Sequence, residues 1–282
     1  KYYDLKTKRA HPQDIDIFFC SWMPWLSMAT ALRGAIERKE FSLYWQPIVG
    51  TPTGKIKGAE ALLRWHYQGS FVSPALFIPI AEIAGLIRNI GYWVFEEGCR
   101  QMAAMRKDLG RGEYFYISIN VSARQLNDEN LANNFISIME KYGVTPQQIL
   151  LEITETSLMA DVESNLKILR QLSTLGLRIA VDDFGTGYSS LSQLLRLPVN
   201  RLKIDRIFIS QMEFKEENRT VVTAIIDMAH ALGLKVIAEG VETEQQSILL
   251  NELGCNFIQG FYFFKPMPFD DFMSLMNTEA NP

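Results

Sequence analysis

The stretch IAVDDFGTGYSSL, residues 179–191, sets two carboxylates side by side, Asp182 and Asp183, at the end of an apolar run. Adjacent carboxylates repel each other and are costly to bury without a compensating positive charge. The chain repeats the theme. Glu60 lies in IKGAEALLRW, Asn120 in YISINVS, Glu152 in ILLEITE, Lys203 and Asp205 in RLKIDRI; Glu239 follows KVIA and Gln259 follows FI. Any one of these alone reads as an ordinary satisfied polar residue. Together, nearly every apolar run delivers an oxygen or an amine, and carboxylates gathered in one place require cations. Oxygen donors from Glu, Asp and Asn suit Mg²⁺ or Mn²⁺ better than zinc. The economical resolution is a pair of divalent ions, the kind of centre that activates water and neutralises developing negative charge.

Positioning such groups requires elements that end at a common place. Apolar or β-branched runs at 41–49, 56–65, 114–122, 149–156, 177–184, 200–209, 234–241 and 257–264 predict strands. Helical patterns at 74–87, 91–109, 129–142, 158–175, 189–195, 216–232 and 243–253 lie between them. Gly143, Gly176, Gly233 and Gly254 read as helix stops, and Thr243 with Gln246 as a capping box. The alternation predicts an α/β fold, a TIM-like (β/α)8 barrel in preference to a doubly wound open sheet, with strand C-termini converging on one mouth. Only TPTGKI separates the first two runs. A parallel crossover needs about a dozen residues, so the first strand is expected to run antiparallel to its neighbour. Residues 1–40 read as a lead-in segment with a helix, and 41–282 as the barrel domain. In a regular strand Asp182 and Asp183 would point to opposite faces. At a strand end followed by glycines the strand need not stay regular, and both can serve the same site.

Composition narrows the class. With 282 residues, 48% apolar and 21% charged, the chain can bury a sizeable core. A net charge of -4 argues against a nucleic-acid groove, since phosphate-backbone binders are usually basic. Cys20, Cys99 and Cys255 form no Cys-x-x-Cys pair, and only His11, His66 and His230 are histidines, so a zinc ribbon or a histidine-rich metal site is not expected. The stretch 17–32, IFFCSWMPWLSMATAL, is short of a membrane span, is interrupted by Pro24 and reads as a packing arm.

EALLR (60–64), NVS (120–122), EITET (152–156), DDFGTGYSSL (182–191), KID (203–205), EGVE (239–242) and QGFYFFKPMP (259–268) together resemble the EAL-domain phosphodiesterases, bacterial enzymes that hydrolyse cyclic di-GMP. The resemblance runs from Phe41 to Phe272 and keeps motif order. It implies a TIM-like barrel with an antiparallel first strand and two Mg²⁺ or Mn²⁺ ions. Glu60, Asn120, Glu152 and Asp182 would hold one metal, and Asp182, Asp183 and Glu239 would hold or frame the second. The catalytic set would be Lys203, orienting the attacking water and stabilising charge, with Glu239 and with Glu155, which would brace the loop after Asp183. Gln46, Arg64, Asp205, Glu242 and Gln259 would hold the dinucleotide, with Arg64 on phosphate. The implied product is linear pGpG. A homodimer, an upstream regulatory domain and a cytoplasmic location, with a membrane tether open for a full-length protein, belong to the same expectation. No position departs from the pattern, which favours an active enzyme over a catalytically silent cyclic di-GMP sensor. A barrel hydrolase acting on another phosphodiester is a third reading, against which the ordered motifs argue.

Overall fold

Strand β1 (Phe41–Gly50) turns at residues 51–55 into β2 (Ile56–Tyr67), the hairpin closed by the Gly50 N–H donating to the Lys55 carbonyl at 3.0 Å. The computed structural model describes residues 26–109, 115–187 and 191–280. Contacts divide the chain into a smaller unit, Lys1–Ser42 with Arg64–Ile90, and a larger one, Leu43–Leu63 with Gly91–Pro282.

The larger unit holds the barrel. After β2 come β4 (Tyr116–Asn120), β5 (Ile149–Thr154), β6 (Arg178–Phe184), β7 (Arg201–Ile204), β8 (Lys235–Ala238) and β9 (Phe257–Ile258), each parallel to the next. β1 pairs antiparallel with β9 and also pairs with β2, which closes an eight-stranded barrel. Since β2 shares the direction of β9, β1 opposes β2 as well, as the short connection requires. Helices separate successive parallel strands, among them α3 (Ile87–Leu109), α4 (Ala123–Leu126), α5 (Leu131–Tyr142), α7 (Val162–Thr174), α8 (Leu191–Leu194), α10 (Glu216–Ala231) and α11 (Glu244–Glu252). The four expected helix-stop glycines all sit at positive φ, and Thr243 with Gln246 forms the capping box.

Parallel strands covered on both faces are buried almost end to end, as in ILLEIT of β5. Inside the barrel, Ile48, Tyr116, Leu150, Ala180 and Ile237 pack as one cluster with Phe257 against it. Strand side chains alternate faces, so the next position on the inner face lies two residues on. Those positions are Gln46 on the reversed β1, then Ser118, Glu152, Asp182, Glu239 and Gln259. An apolar plug thus supports a polar layer at the strands' C-terminal end.

The smaller unit contains the helical segment α1 (26–32), the strand β3 (Ser70–Val72) paired antiparallel with the end of β2, and α2 (Pro74–Ile83). Its core joins Phe41, Trp65 and Phe77, with Trp65 edge-on to Phe77 at 5.6 Å. His66 is structural, its ring 2.9 Å from the Ser42 hydroxyl. Among the described residues no helix is long and apolar enough to cross a membrane. Most of the 17–32 arm and the loop residues 188–190 lie outside the described residues.

Several expected strands are shorter than their apolar runs, and two of the departures bring residues to the cleft described below. The 200–209 run leaves the sheet after Ile204: Asp205 caps a short helix, α9 (Arg206–Ile209), its Oδ1 accepting from the Ile207 N–H at 2.7 Å. The 257–264 run leaves after Ile258. Gly260 lies against the Val241 backbone so closely that a Cβ there would come within 2.1 Å of its carbonyl oxygen, and the chain turns, with Phe263 N–H donating to the Gly260 carbonyl. It rejoins the sheet as β10 (Met267–Pro268), paired with β1.

Candidate active site

Lys203 is the centre of the polar layer. It is 1% exposed, and its Nζ lies 2.5 Å from Glu239, 2.8 Å from Glu152, 3.3 Å from Asp182 and 3.6 Å from Glu60. Glu60 is held at both oxygens: Asn120 Nδ2 donates to Oε1 at 2.8 Å and Gln259 Nε2 to Oε2 at 2.7 Å. Gln259 also donates to Gln46 Oε1 at 3.0 Å, and Gln46 donates to the Phe264 carbonyl. Strands distant in sequence are locked to one another by these amides.

The adjacent aspartates converge. The β6–β7 register shifts between Val181 and Phe184, and Asp183 takes φ 54°. A left-handed backbone at a non-glycine residue is uncommon and turns the side chain out of the regular alternation. Asp183 N–H donates to Asp182 Oδ1 at 3.0 Å, and one oxygen each from Asp182, Asp183 and Glu239 lies within 4.8 Å of the others. Behind the turn, buried Glu155 begins α6 (Glu155–Ala160), and its Oε2 accepts from the N–H groups of Gly185 at 2.8 Å and Gly187 at 3.3 Å. Gly187 leaves room for that carboxylate: a Cβ there would meet Glu155 Oε1 at 2.9 Å.

A cleft of about 390 Å³ opens over the layer. A family model described as "EAL domain" matches residues 29–266. The chain belongs to the EAL domain family.

The EAL domain is 43% identical over 250 residues to the bifunctional diguanylate cyclase/cyclic di-GMP phosphodiesterase MucR of Pseudomonas aeruginosa, covering 88% of this chain and 36% of that protein. It is 36% identical to the cyclic di-GMP phosphodiesterase NbdA of the same organism, over 91% of this chain and 33% of that protein. The chain thus spans about a third of the length of these relatives. A solved structure described as the PaMucR phosphodiesterase in complex with c-di-GMP superposes with a TM-score of 0.83 at 42% identity, covering 87% of this chain and 99% of that one.

Of the residues singled out in this EAL domain's sequence, Gln46, Glu60, Asp182, Asp183, Asp205, Glu239, Glu242 and Gln259 line the cleft. Glu152 and Lys203 do not line the cleft but are buried together, Lys203 against the lining residues Glu60, Asp182 and Glu239, and Asn120 reaches Glu60 from the end of β4. Arg64 is half-buried and belongs to the smaller unit. Arg206, Gly240, Gly260 and Phe261 also line the cleft and were not anticipated. Each directly follows an anticipated residue or another of this group, so the signal available was adjacency; which of two neighbours faces the cleft is set by the turns after β7, β8 and β9.

Burial opposes every charge here. Desolvation, and then Glu60, pushes the Glu152 carboxyl well above its ordinary range, and burial, against the pull of Lys203, raises Glu239 to about 8. Asp183 is raised to about 6 by burial and then by Asp182. Burial also works to raise Glu60, but Lys203 and the Gln259 and Asn120 amides prevail and leave it lowered. Lys203 is held well above its ordinary value because the surrounding carboxylates outweigh the cost of its burial.

The donor set fits divalent cations. Among the described residues Glu60, Glu152, Asp182 and Glu239 share the Lys203 ammonium, Asp183 adds a further carboxylate beside Asp182 and Glu239, and Glu152 Oε1 is buried with no hydrogen-bond partner. An orphaned buried carboxylate oxygen is expensive, and a hard cation satisfies it.

Cations binding here must displace the protons held by Glu239 and Asp183. Apparent Mg²⁺ or Mn²⁺ affinity is therefore expected to rise with pH, the Asp183 proton contributing below about 6 and the Glu239 proton up to about 8, by up to about tenfold per pH unit for each proton displaced. Calorimetry in buffers of different ionisation heat reads the proton release, and a pH-independent affinity would contradict it. Without metal the sign for stability is opposite. Glu239, raised from 4.5 to about 8, contributes fully below its unfolded value, and that contribution is lost as pH rises through about 8.

Glu155 yields a separate expectation. Removing its charge by Glu155→Gln weakens two hydrogen bonds to an ionised acceptor, each contributing about 1.5–3 kcal/mol. Amide exchange at Gly185 and Gly187 is expected to accelerate at least about tenfold, with metal affinity falling as Asp183 loses its fixed turn. Unchanged protection at these two amides would rule out the bracing role.

Proposed function

We propose that this EAL domain hydrolyses cyclic di-GMP to linear pGpG with two bound divalent cations, Mg²⁺ or Mn²⁺. The observation that carries the reading is the excess of carboxylates around Lys203, including the unpartnered oxygen of Glu152, beside an open cleft. Its likeness to relatives named cyclic di-GMP phosphodiesterases, and to a solved relative in complex with c-di-GMP, supports the substrate.

Glu60, Asn120, Glu152 and Asp182 would hold one cation, and Asp182, Asp183 and Glu239 the second. Bound there, the cations supply Lewis-acid charge and a water acidic enough to attack phosphorus at neutral pH. Lys203 contributes a fixed positive charge where negative charge develops on the phosphate, and its placement against Glu152 and Glu239 keeps it oriented without reorganisation. Gln259 spans Glu60 and Gln46, so the same amide that orients a metal ligand sits beside a proposed substrate contact. Asp205 and Glu242 present acceptors that match the N–H edge of guanine. Arg64 is proposed to bind phosphate. A homodimer and an upstream regulatory domain belong to the same proposal.

The test is a nucleotide assay on the purified chain with Mg²⁺ or Mn²⁺ added and then chelated, separating cyclic from linear dinucleotide. Metal-dependent accumulation of the linear product is expected. Tight binding of cyclic di-GMP without turnover under metal saturation would favour the sensor reading.

A further inference from the structure

The opposite end of the barrel carries the opposite charge. Tyr116, Arg178, Arg201, Lys235 and Phe257 are the first residues of β4, β6, β7, β8 and β9. The Arg201 guanidinium carbon lies 4.0 Å from the Tyr116 ring centre and 4.7 Å from that of Phe257. The Arg178 guanidinium carbon lies 5.5 Å from the Tyr116 ring centre, and Lys235 Nζ stands 5.9 Å from that of Phe257. Three cations therefore share two rings, and among the described residues no carboxylate pairs with any of them. Arg201 is only 4% exposed and its Nη1 is buried without a hydrogen-bond partner, while the buried Tyr116 hydroxyl lies against the same guanidinium.

A buried guanidinium without a counterion is costly, and ring faces offset only part of that cost, about 2 kcal/mol or more for a desolvated cation–π contact. The Arg178 guanidinium is lowered from its ordinary value by burial first and by the Arg201 charge second, so the two cations strain each other. Guanidinium forks match the oxygens of a phosphate group, and a dianion compensates several positive charges where a carboxylate compensates one.

We propose that the N-terminal mouth of the barrel is a binding site for a phosphate-type oxyanion, held by Arg201, Arg178 and the Tyr116 hydroxyl with Lys235 at the rim. The half-buried Arg178 side chain is the group that moves aside to admit it. The site lies where the strands begin and the acidic layer where they end, with Ile48, Leu150, Ala180 and Ile237 packed against Tyr116. A free phosphate and a phosphate monoester share this chemistry.

The experiment is calorimetric titration of the Mg²⁺-loaded chain with inorganic phosphate at pH 7.5 against chloride at matched ionic strength. Saturable phosphate binding is expected, weakened at least tenfold by Arg178→Gln, equivalent to about 1.4 kcal/mol. Arg178 is half-buried and pairs with no carboxylate, so this variant is expected to fold; Arg201→Met, which keeps the apolar stem between the rings, is expected to abolish binding. Chelation with EDTA, which removes cations from the acidic end, is expected to leave phosphate affinity unchanged. Repeating the titration with a nucleoside monophosphate distinguishes the two sources of the group. The proposal is overturned if phosphate binds no better than chloride, if acetate binds as well as phosphate, if Arg178→Gln binds like the parent chain, or if EDTA removes the binding.

Discussion

Glu60→Ala is expected to abolish metal-dependent hydrolysis while the barrel stays folded. Glu60 is a proposed metal ligand whose oxygens are each engaged by an amide, from Asn120 and Gln259. Replacing groups that merely orient a metal ligand typically costs about 10–100-fold in affinity or activity, so loss of the ligand itself should cost at least roughly 10³-fold in turnover. The variant also leaves two amide donors without their acceptor and relieves one buried negative charge near Lys203. These changes oppose each other in stability, so the fold is expected to survive, as circular dichroism and thermal unfolding would read. Near parental turnover at saturating Mn²⁺ would remove Glu60 from the ligand set.

Lys203→Ala is expected to lower turnover by about 10²–10³-fold, the usual cost of removing a fixed charge aimed at a developing anion. Affinity for cyclic di-GMP should change far less, because the ammonium sits beneath the cleft, surrounded by protein carboxylates. Equal losses in turnover and binding would make Lys203 a substrate contact instead. The geometry adds a second readout. Lys203 is the one cation among Glu60, Glu152, Asp182 and Glu239 in the described layer, and stripping a partner from buried ion pairs typically costs about 3–5 kcal/mol. The metal-free variant is therefore expected to be markedly less stable than the parent, with divalent cations recovering most of the loss. A metal-free variant as stable as the parent would show that Lys203 does not hold the carboxylates together.

The acidic layer and the cationic mouth share an origin. Inner-face positions recur every second residue, so one short strand such as β6 carries Arg178, Ala180 and Asp182 in succession along the barrel axis. β8 repeats the order with Lys235 and Ile237, and with Glu239 just beyond its end. The barrel is polarised along its length, with carboxylates where the strands end and cations where they begin.

The sequence by itself determined the strand and helix alternation and the antiparallel first strand, because these rest on local spacing: apolar runs, glycine stops and a connection too short for a crossover; the family was carried by the ordered motifs from EALLR to QGFYFFKPMP. It also named most of the residues that line the cleft: Glu60, Asp182, Asp183, Asp205, Glu239 and Gln259 as polar positions in or ending the apolar runs, Gln46 and Glu242 through the family resemblance. Only the tertiary structure decided that Asp183 turns to join Asp182, that Asp205 caps a helix instead of extending a strand, and that Lys203 meets carboxylates from other strands. Parity within a strand says which face a side chain takes; it does not say how the chain leaves the sheet. Nor does it say which side chains from strands far apart in sequence share a layer. Those outcomes depend on register shifts and barrel closure, which are settled by packing of the whole and not by any one segment.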